Sequence, residues 1–424
     1  MPGLLRRLAP LALLPLWLAG HGSAAHAGTV VLESWRTDDR ALWESVLIPA
    51  FERKHPGITV RFAATAPTQY DAALAERLAA GTAGDVVACR PFDVALALYR
   101  KGYLERLNTL PGLEHFNARA RLAWQTDDGR DVFCLPVASV LHGFFYNKRI
   151  FERLGLRPPS TADEFVAVLD AVRRSGAAVP LALGTADRWE ATQTLFTNIG
   201  PTFWGGEEGR RALVAGRARF TDARFVAALA FERRLAPYLP RGAATQGYAD
   251  SRVQFARGQA AVYPAGSWEI AYFNKVDKAA GLEIGAFPPP VARAGERCQV
   301  TDHMDMGVGL NRRAHNREDA LALLAWMTTQ EFADLTTNGA VGFFSLSTHL
   351  IAFADPLAKE MAGWRDRCGT SIRLNAQFLN RGAAPLEDAL WTVNAAVLAD
   401  GLAPRAAAQR LQQNLDRWYR PPAR

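Results

Sequence analysis

Between Val30 and Gly102 the chain alternates short apolar runs with helical periodicity, and no other feature restricts its fold as much. Val30-Val31-Leu32 reads as a buried strand. Leu42, Val46, Leu47, Ala50 and Phe51 then share one helical face, which His55-Pro56-Gly57 stops. Residues 58–62 read as the next strand. Thr68 can cap a helix carrying Tyr70, Leu74 and Leu78 that ends at Gly81. Residues 85–89 read as a third strand, followed by a helix ending near Gly102. Strand–helix–strand at this spacing predicts a parallel sheet with helices on both faces.

The later chain varies this pattern. Two short strands are expected at 132–137 and 143–146, and Thr161 with Glu164 forms a capping box ahead of Phe165, Val168, Leu169 and Val172. Further strands are expected at 179–183, 260–263 and 306–310. Helices are expected at 317–328, 330–337, 346–363, 385–399 and 404–418. The 424 residues exceed the roughly 250–300 that one core holds. No linker or internal repeat divides them. Two lobes joined by several short crossings are therefore expected, each discontinuous in sequence.

The first 27 residues read as an export leader. Arg6 and Arg7 precede an apolar stretch at 8–18 that is too short to span a bilayer and carries Pro10 and Pro15. Ala25-His26-Ala27 then offers a cleavage pattern before Gly28. Cleavage after Ala27 takes the net charge from +7 to +5 by removing two Arg. The remaining charges of both signs are interspersed, without the basic stripe of a nucleic-acid binder. Export permits disulfides, and Cys89, Cys134, Cys298 and Cys368 allow three complete pairings, or free buried thiols. Cys89 and Cys134 each follow a short apolar run and are the preferred pair. Without a C-x-x-C the cysteines suggest neither zinc nor redox chemistry.

Searches for H-E-x-x-H, G-x-S-x-G, a P-loop, G-x-G-x-x-G and an EF-hand loop find nothing, and neither a cofactor nor a metal is expected. Beyond the leader His occurs at 55, 115, 142, 303, 315 and 349, with no i, i+4 pair. Asp302-His303-Met304-Asp305 is the most polar tract. It reads as a cleft lining or a set of backbone partners, with a metal site or acid–base pair as the alternative. Trp35, Trp189 and Trp268 stand beside small or polar residues at element ends, whereas Trp326 lies within apolar periodicity. A loop Trp can cover the C–H face of a sugar ring while neighbouring polar groups bond its hydroxyls.

These segments together resemble the family 1 extracellular solute-binding proteins of carbohydrate ABC importers, the maltose-binding-protein-like group. The resemblance rests on Val31-Leu32-Glu33-Ser34-Trp35, FERKHPGITVRF, LAAGTAGDVVACR, LPVASVLHGFFYNKRIFERLGLRPPSTADEF, FARGQAAVYPAGSW and EDALALLAWMTTQEFA. It covers about residues 29–340 and, more loosely, the helical C-terminus. It implies an α/β, two-lobed periplasmic binding protein fold, each lobe a mostly parallel sheet flanked by helices, with a helical C-terminal part. The implied boundaries are 28–138 with 303–345 for one lobe and 139–302 with 346–424 for the other. Such a receptor is a periplasmic monomer that takes a sugar into the inter-lobe cleft and delivers it to inner-membrane permease subunits.

Ligands of open α/β sheets sit beyond the carboxyl ends of strands, which nominates Trp35, Arg36, Asp38, Thr65, Arg90 and Asp93. The resemblance adds Ser139, Val140 and His142 where the chain crosses between lobes, and Trp189, Gly266 and Trp268 from the second lobe. Asp302, His303 and Asp305 fall at the returning crossing. Phe343 and Phe344 border the cleft or belong to the core. Arg36, Arg90 and Arg188 keep an anionic polyol or glycerol derivative in play as the ligand. An exported glycoside hydrolase using Asp302 with Asp305 is the remaining alternative.

Overall fold

The computed structural model describes residues 28–280 and 282–421; the expected leader and its cleavage point lie outside them. The described strands are β1 (Thr29–Ser34), β2 (Thr59–Ala64), β3 (Val86–Cys89), β4 (Leu135–Asn147), β5 (Val179–Leu181), β6 (Ala260–Gly266), β7 (Ile284–Phe287), β8 (Gln299–Leu310), β9 (Phe344–Ser345) and β10 (Gly369–Ser371). They run in the order β2-β1-β3-β8-β4-β6-β5, with β10 beside β8, and β7 and β9 beside β4. The parallel pairing expected from the opening alternation joins β1 to β2 and β3, and recurs between β5 and β6. Antiparallel pairing enters through β4 and β8, which makes the sheets mixed.

Each end of this array has its own apolar interior. Val30, Leu32, Phe51, Leu74, Val86, Trp124, Leu310 and Leu324 belong to one core. Phe144, Phe165, Leu169, Val262 and Phe287 belong to another, and a helical layer of Phe220, Leu229, Leu390 and Leu411 packs beyond it. This is the two-lobed α/β architecture. Among the described residues no helix is long and apolar enough to cross a membrane.

Four local expectations change. The two short strands foreseen at 132–137 and 143–146 are one 13-residue strand, and the strand foreseen at 306–310 begins at Gln299. Both are buried along nearly their whole length, so no period-2 alternation marks them and their polar residues read as breaks. The first helix widens into a π turn over Trp43–Leu47 just before Pro49, which lacks the N–H that a regular turn would use. The extra residue rotates the buried face onto Trp43 and Leu47 and leaves Val46 38% exposed. The helix foreseen at 346–363 is confined to Pro356–Ala362, where Asp355 caps it by accepting from the Ala358 N–H at 2.7 Å.

The capping box at Thr161 and Glu164 forms as expected, and Gly81 closes the helix Tyr70–Ala80 in the left-handed region at φ 73°. Gln69, not Thr68, precedes that helix. Cys89 is bonded to Cys134, and Cys298 to Cys368. The first bridge passes over β8 at Gly309, where a Cβ would come within 2.9 Å of both sulfurs. The second ties the entry of β8 to that of its parallel neighbour β10.

Glu232, on the helix Ala223–Leu235, is fully buried with both carboxyl oxygens unpartnered, and burial pushes its acidity well above the usual carboxylate range. The folded chain therefore holds this proton more tightly than the unfolded one. The stabilisation is complete at low pH and is lost as pH rises above the ordinary carboxyl value toward the folded one. Glu232→Gln keeps the protonated shape at every pH, so its stability relative to the parent should increase from about pH 5 to about pH 8 in urea unfolding. A difference constant over that interval would exclude a buried proton at 232.

Candidate ligand-binding site

The site grows out of the stretch where β4 and β8 pair as they pass between the lobes: Ser139 opposite Met304, Val140 opposite His303, Leu141 opposite Asp302. Directly paired residues share a face and successive residues alternate, so Val140, His142, His303 and Asp305 face one way and Ser139 and Asp302 the other. The second face is a closed ion cluster. Arg365 donates to both Asp302 oxygens at 2.9 and 3.0 Å and to Ser139 Oγ at 2.7 Å, and Arg119 adds a bond to Asp302 at 3.0 Å. Although desolvation opposes it, the field and hydrogen bonds of Arg365, with help from Arg119 and Ser139, hold the Asp302 carboxyl below the usual range. Asp302 and Asp305 thus point away from each other, and the expectation that they form an acid–base pair fails on strand geometry.

The first face is different in character. His303 lies 3.2 Å from Asp305 through Nε2, which assigns the Nε2–H tautomer and leaves Nδ1 as a bare acceptor without a partner. Burial pulls His303 down to about 4, so it is neutral at pH 7. Desolvation pushes Asp305 upward, but the His303 bond and the fields of Arg36 and Arg373 outweigh it and keep it at about 2. His142, wholly buried, faces the Gln193 backbone without a full hydrogen bond on either ring nitrogen, and burial draws it well below the usual imidazole value. Its ring stands 6.1 Å from that of His303 and edge-on to Trp268 at 5.1 Å.

Loops from both lobes converge on these histidines. After β1, Arg36 forms a bidentate pair with Asp39 at 2.9 and 2.8 Å and lies 4.3 Å over the Phe343 ring. Arg90, after β3, reaches Asp71 at 3.3 Å and covers the ring of Trp35 at 4.3 Å. After β6, Trp268 Nε1 donates to Tyr248 Oη at 2.9 Å and Glu269 Oε1 at 3.2 Å, and Tyr248 also bonds Glu269. Trp189 meets Tyr248 at 4.8 Å, which completes an aromatic platform. A Cβ at Gly266 would fall inside the Trp268 ring, so glycine there lets the ring fold back over the strand end. Burial pushes Glu269 well above the usual range, and Asp38 across the gap adds to the rise. Nearby Glu190, also buried, is raised by desolvation to about 8, although the Ser251 hydroxyl and the Gly184 backbone pull the other way.

The nominated residues therefore divide. His142, Trp268 and His303 are linked ring to ring, Gly266 lies under the Trp268 ring, and Trp189 reaches Trp268 through Tyr248. Asp305 bonds His303, with Arg36 and Arg90 close enough for their fields to act there, while Asp38 acts on Glu269. Trp35 is 4% exposed, with one ring face taken by Arg90 and an edge contact to Tyr70 at 5.6 Å. Thr65 lines a separate surface hollow with Glu33, Arg61 and Arg77. Val140 is core, as are Phe343 and Phe344, and Arg188 is engaged by Thr392. Asp93, at the start of the helix Asp93–Arg100, accepts from Arg381 Nε at 2.7 Å and from the Phe378 N–H at 3.3 Å, while Arg381 also pairs with Asp127 at 2.8 Å. This clasp ties that helix and Asp127 to the segment between β10 and the helix Leu386–Ala399, and Phe92, Gln377 and Phe378 adopt positive φ around it.

Reading of the sequence missed Tyr248, Glu269, Arg373, Arg381 and Glu387. Glu269 stood beside a nominated Trp, and a lone Arg between Ile372 and Leu374 was the one mark of Arg373. Among the described residues no group of three or more His, Cys, Asp or Glu is placed to hold a metal ion.

A family model described as bacterial extracellular solute-binding protein matches residues 34–333. The chain is 24% identical over 289 residues to a multiple sugar-binding protein of Streptococcus mutans, covering 67% of each chain. It is 26% identical over 257 residues to an uncharacterized ABC transporter extracellular-binding protein of Pyrococcus horikoshii, spanning 58% of this chain but only 57% of that relative's length. Among solved structures, a chitin oligosaccharide binding protein superposes with a TM-score of 0.77 at 21% identity, over 92% of this chain and 98% of that one. RafE in complex with raffinose gives 0.77 at 20% identity, over 92% and 99%.

Asp302→Asn should cost about 2–4 kcal/mol in urea unfolding at neutral pH, since it leaves Arg365 and the half-exposed Arg119 without their shared anion. The depressed folded-state acidity of Asp302 means that this stabilisation is present above the ordinary carboxyl value and is lost as pH falls through the folded one. The difference between variant and parent should shrink accordingly in acid. An effect below about 0.5 kcal/mol would show that the cluster is not formed in solution.

Proposed function

The chain belongs to the bacterial extracellular solute-binding proteins, a family that binds solutes rather than transforming them, and on that premise we propose that it captures a carbohydrate between its lobes for an ABC importer. One observation carries this reading: the aromatic platform of Trp189, Tyr248 and Trp268, polarised by the buried Glu269, stands near crossing strands on which both nitrogens of His142 and Nδ1 of His303 lack a hydrogen bond. Flat aromatic faces suit the C–H surface of a sugar ring, and unpartnered imidazole nitrogens suit its hydroxyls. The sugar-binding relatives named above support the same class.

In this reading residues 28–138 with 303–345 move as one lobe and 139–302 with 346–424 as the other, hinged where β4 passes β8. A ligand that touches both lobes only when they are closed shifts the balance toward closure by its differential contacts. The closed monomer then docks on permease subunits at the periplasmic face of the inner membrane and releases the sugar to them. The Asp302 cluster secures the hinge from behind, and the Arg381 clasp adds an ion pair between the lobes when they close.

Trp268→Ala should weaken carbohydrate binding at least roughly tenfold in calorimetric titration and leave the far-ultraviolet circular dichroism unchanged. Unaltered affinity would remove the platform from the site. Arg381→Gln should enlarge the ligand-free protein in small-angle scattering and weaken binding a few-fold at low salt, less so at high salt. Identical scattering from parent and variant would mean that the clasp does not bias closure.

A further inference from the structure

Most arginines around the cleft have a carboxylate partner, and the exposed Arg188 bonds Thr392 instead. Arg36 has Asp39, Arg90 has Asp71, Arg381 has Asp93 and Asp127, and Arg119 and Arg365 share Asp302. Arg373, on the segment that follows β10, forms no ion pair among the described residues, and its Nε is buried without a partner. The groups that face it are Asp305, Glu387, His142, His303 and Arg90. Asp305 is engaged by His303 at 3.2 Å, and Glu387 by Gln193 Nε2 at 3.1 Å. Burial lowers Arg373 to about 10 and raises Glu387, so both groups remain short of compensation although each feels the other. A half-buried guanidinium whose Nε is enclosed and which has no ion pair is costly unless an anion is supplied from outside the chain.

Resting on the carbohydrate reading, we propose that the ligand is a sugar acid whose carboxylate is held by Arg373, with its hydroxyls taken by His142 and His303. One free guanidinium matches one carboxylate, and its planar fork suits the two oxygens. A phosphate ester carries close to two charges and would need a second free cation, which the pairing of Arg36 and Arg90 does not leave. The histidines complete the set. His142 is wholly buried with two unpartnered nitrogens, and His303 contributes a bare Nδ1, so neutral donor and acceptor sites lie beside the cation.

Calorimetric titration of the exported-form protein with matched pairs tests this. The pairs are galacturonate with galactose, glucuronate with glucose, and their dimers and trimers, alongside glucose 6-phosphate and glycerol 3-phosphate. At least one uronate should bind roughly 100-fold more tightly than its neutral partner. Arg373→Gln should abolish that preference and Arg373→Lys should retain part of it, with ligand-free melting recorded to confirm folding. A neutral sugar that binds as tightly as its uronate overturns the sugar-acid assignment and leaves the carbohydrate reading standing. Preference for a phosphate ester also overturns it. Failure of every compound, charged and neutral, counts against both readings.

Discussion

The arrangement of β4 and β8 governs everything else in the molecule. Two long strands passing antiparallel from one lobe to the other cannot slip by one residue without turning every side chain to the opposite face. The register that places Val140 opposite His303 therefore decides which charges look into the cleft and which look behind it. Asp302 and His303 are neighbours in sequence, yet one lies in an arginine cluster and the other beside the unpartnered His142. The same two strands pair with β3 on one side and with β6 on the other, so the proposed hinge would move two cores without breaking a sheet.

How much of this could be read from the sequence follows from where its periodicities survive. The opening β1–β2–β3 alternation was legible because half-buried helices separate short strands, and the capping box at Thr161 announced itself through two residues three apart. The crossing strands were legible only in pieces, because burial on both faces erases alternation. The π turn at Trp43–Leu47 was invisible, since Pro49 is also a normal residue for a first turn. Within the site, loop tryptophans pointed to the correct region through Trp189 and Trp268 but not through Trp35, whose ring Arg90 covers. Arg373 and Arg381 lay on a C-terminal stretch without regular periodicity, and Glu387 at the start of the helix foreseen at 385–399 read as an ordinary first-turn acid. Their importance comes from contacts some 70 to 290 residues away in the chain, which no local pattern encodes.

Only contacts that differ between open and closed states can drive closure. The Arg36–Asp39 and Arg210–Glu207 pairs lie within one lobe each and cancel between the two states. In the proposed closure the Arg381 bonds to Asp93 and Asp127 do not cancel, because both carboxylates lie within residues 28–138 and Arg381 within residues 346–424. The effect of Asp38 on Glu269 is of the same kind with the opposite sign: two carboxyl groups are brought closer, and the buried one responds by holding its proton. In the proposed mechanism, closure without a ligand is favoured by one ion-pair cluster and opposed by enclosed groups that lack partners. A receptor needs that near balance, since a closed state that was complete by itself would have nothing to gain from binding. On this view the unpartnered nitrogens of His142, His303 and Arg373 are the part of the closed state that the protein leaves to be supplied by its ligand.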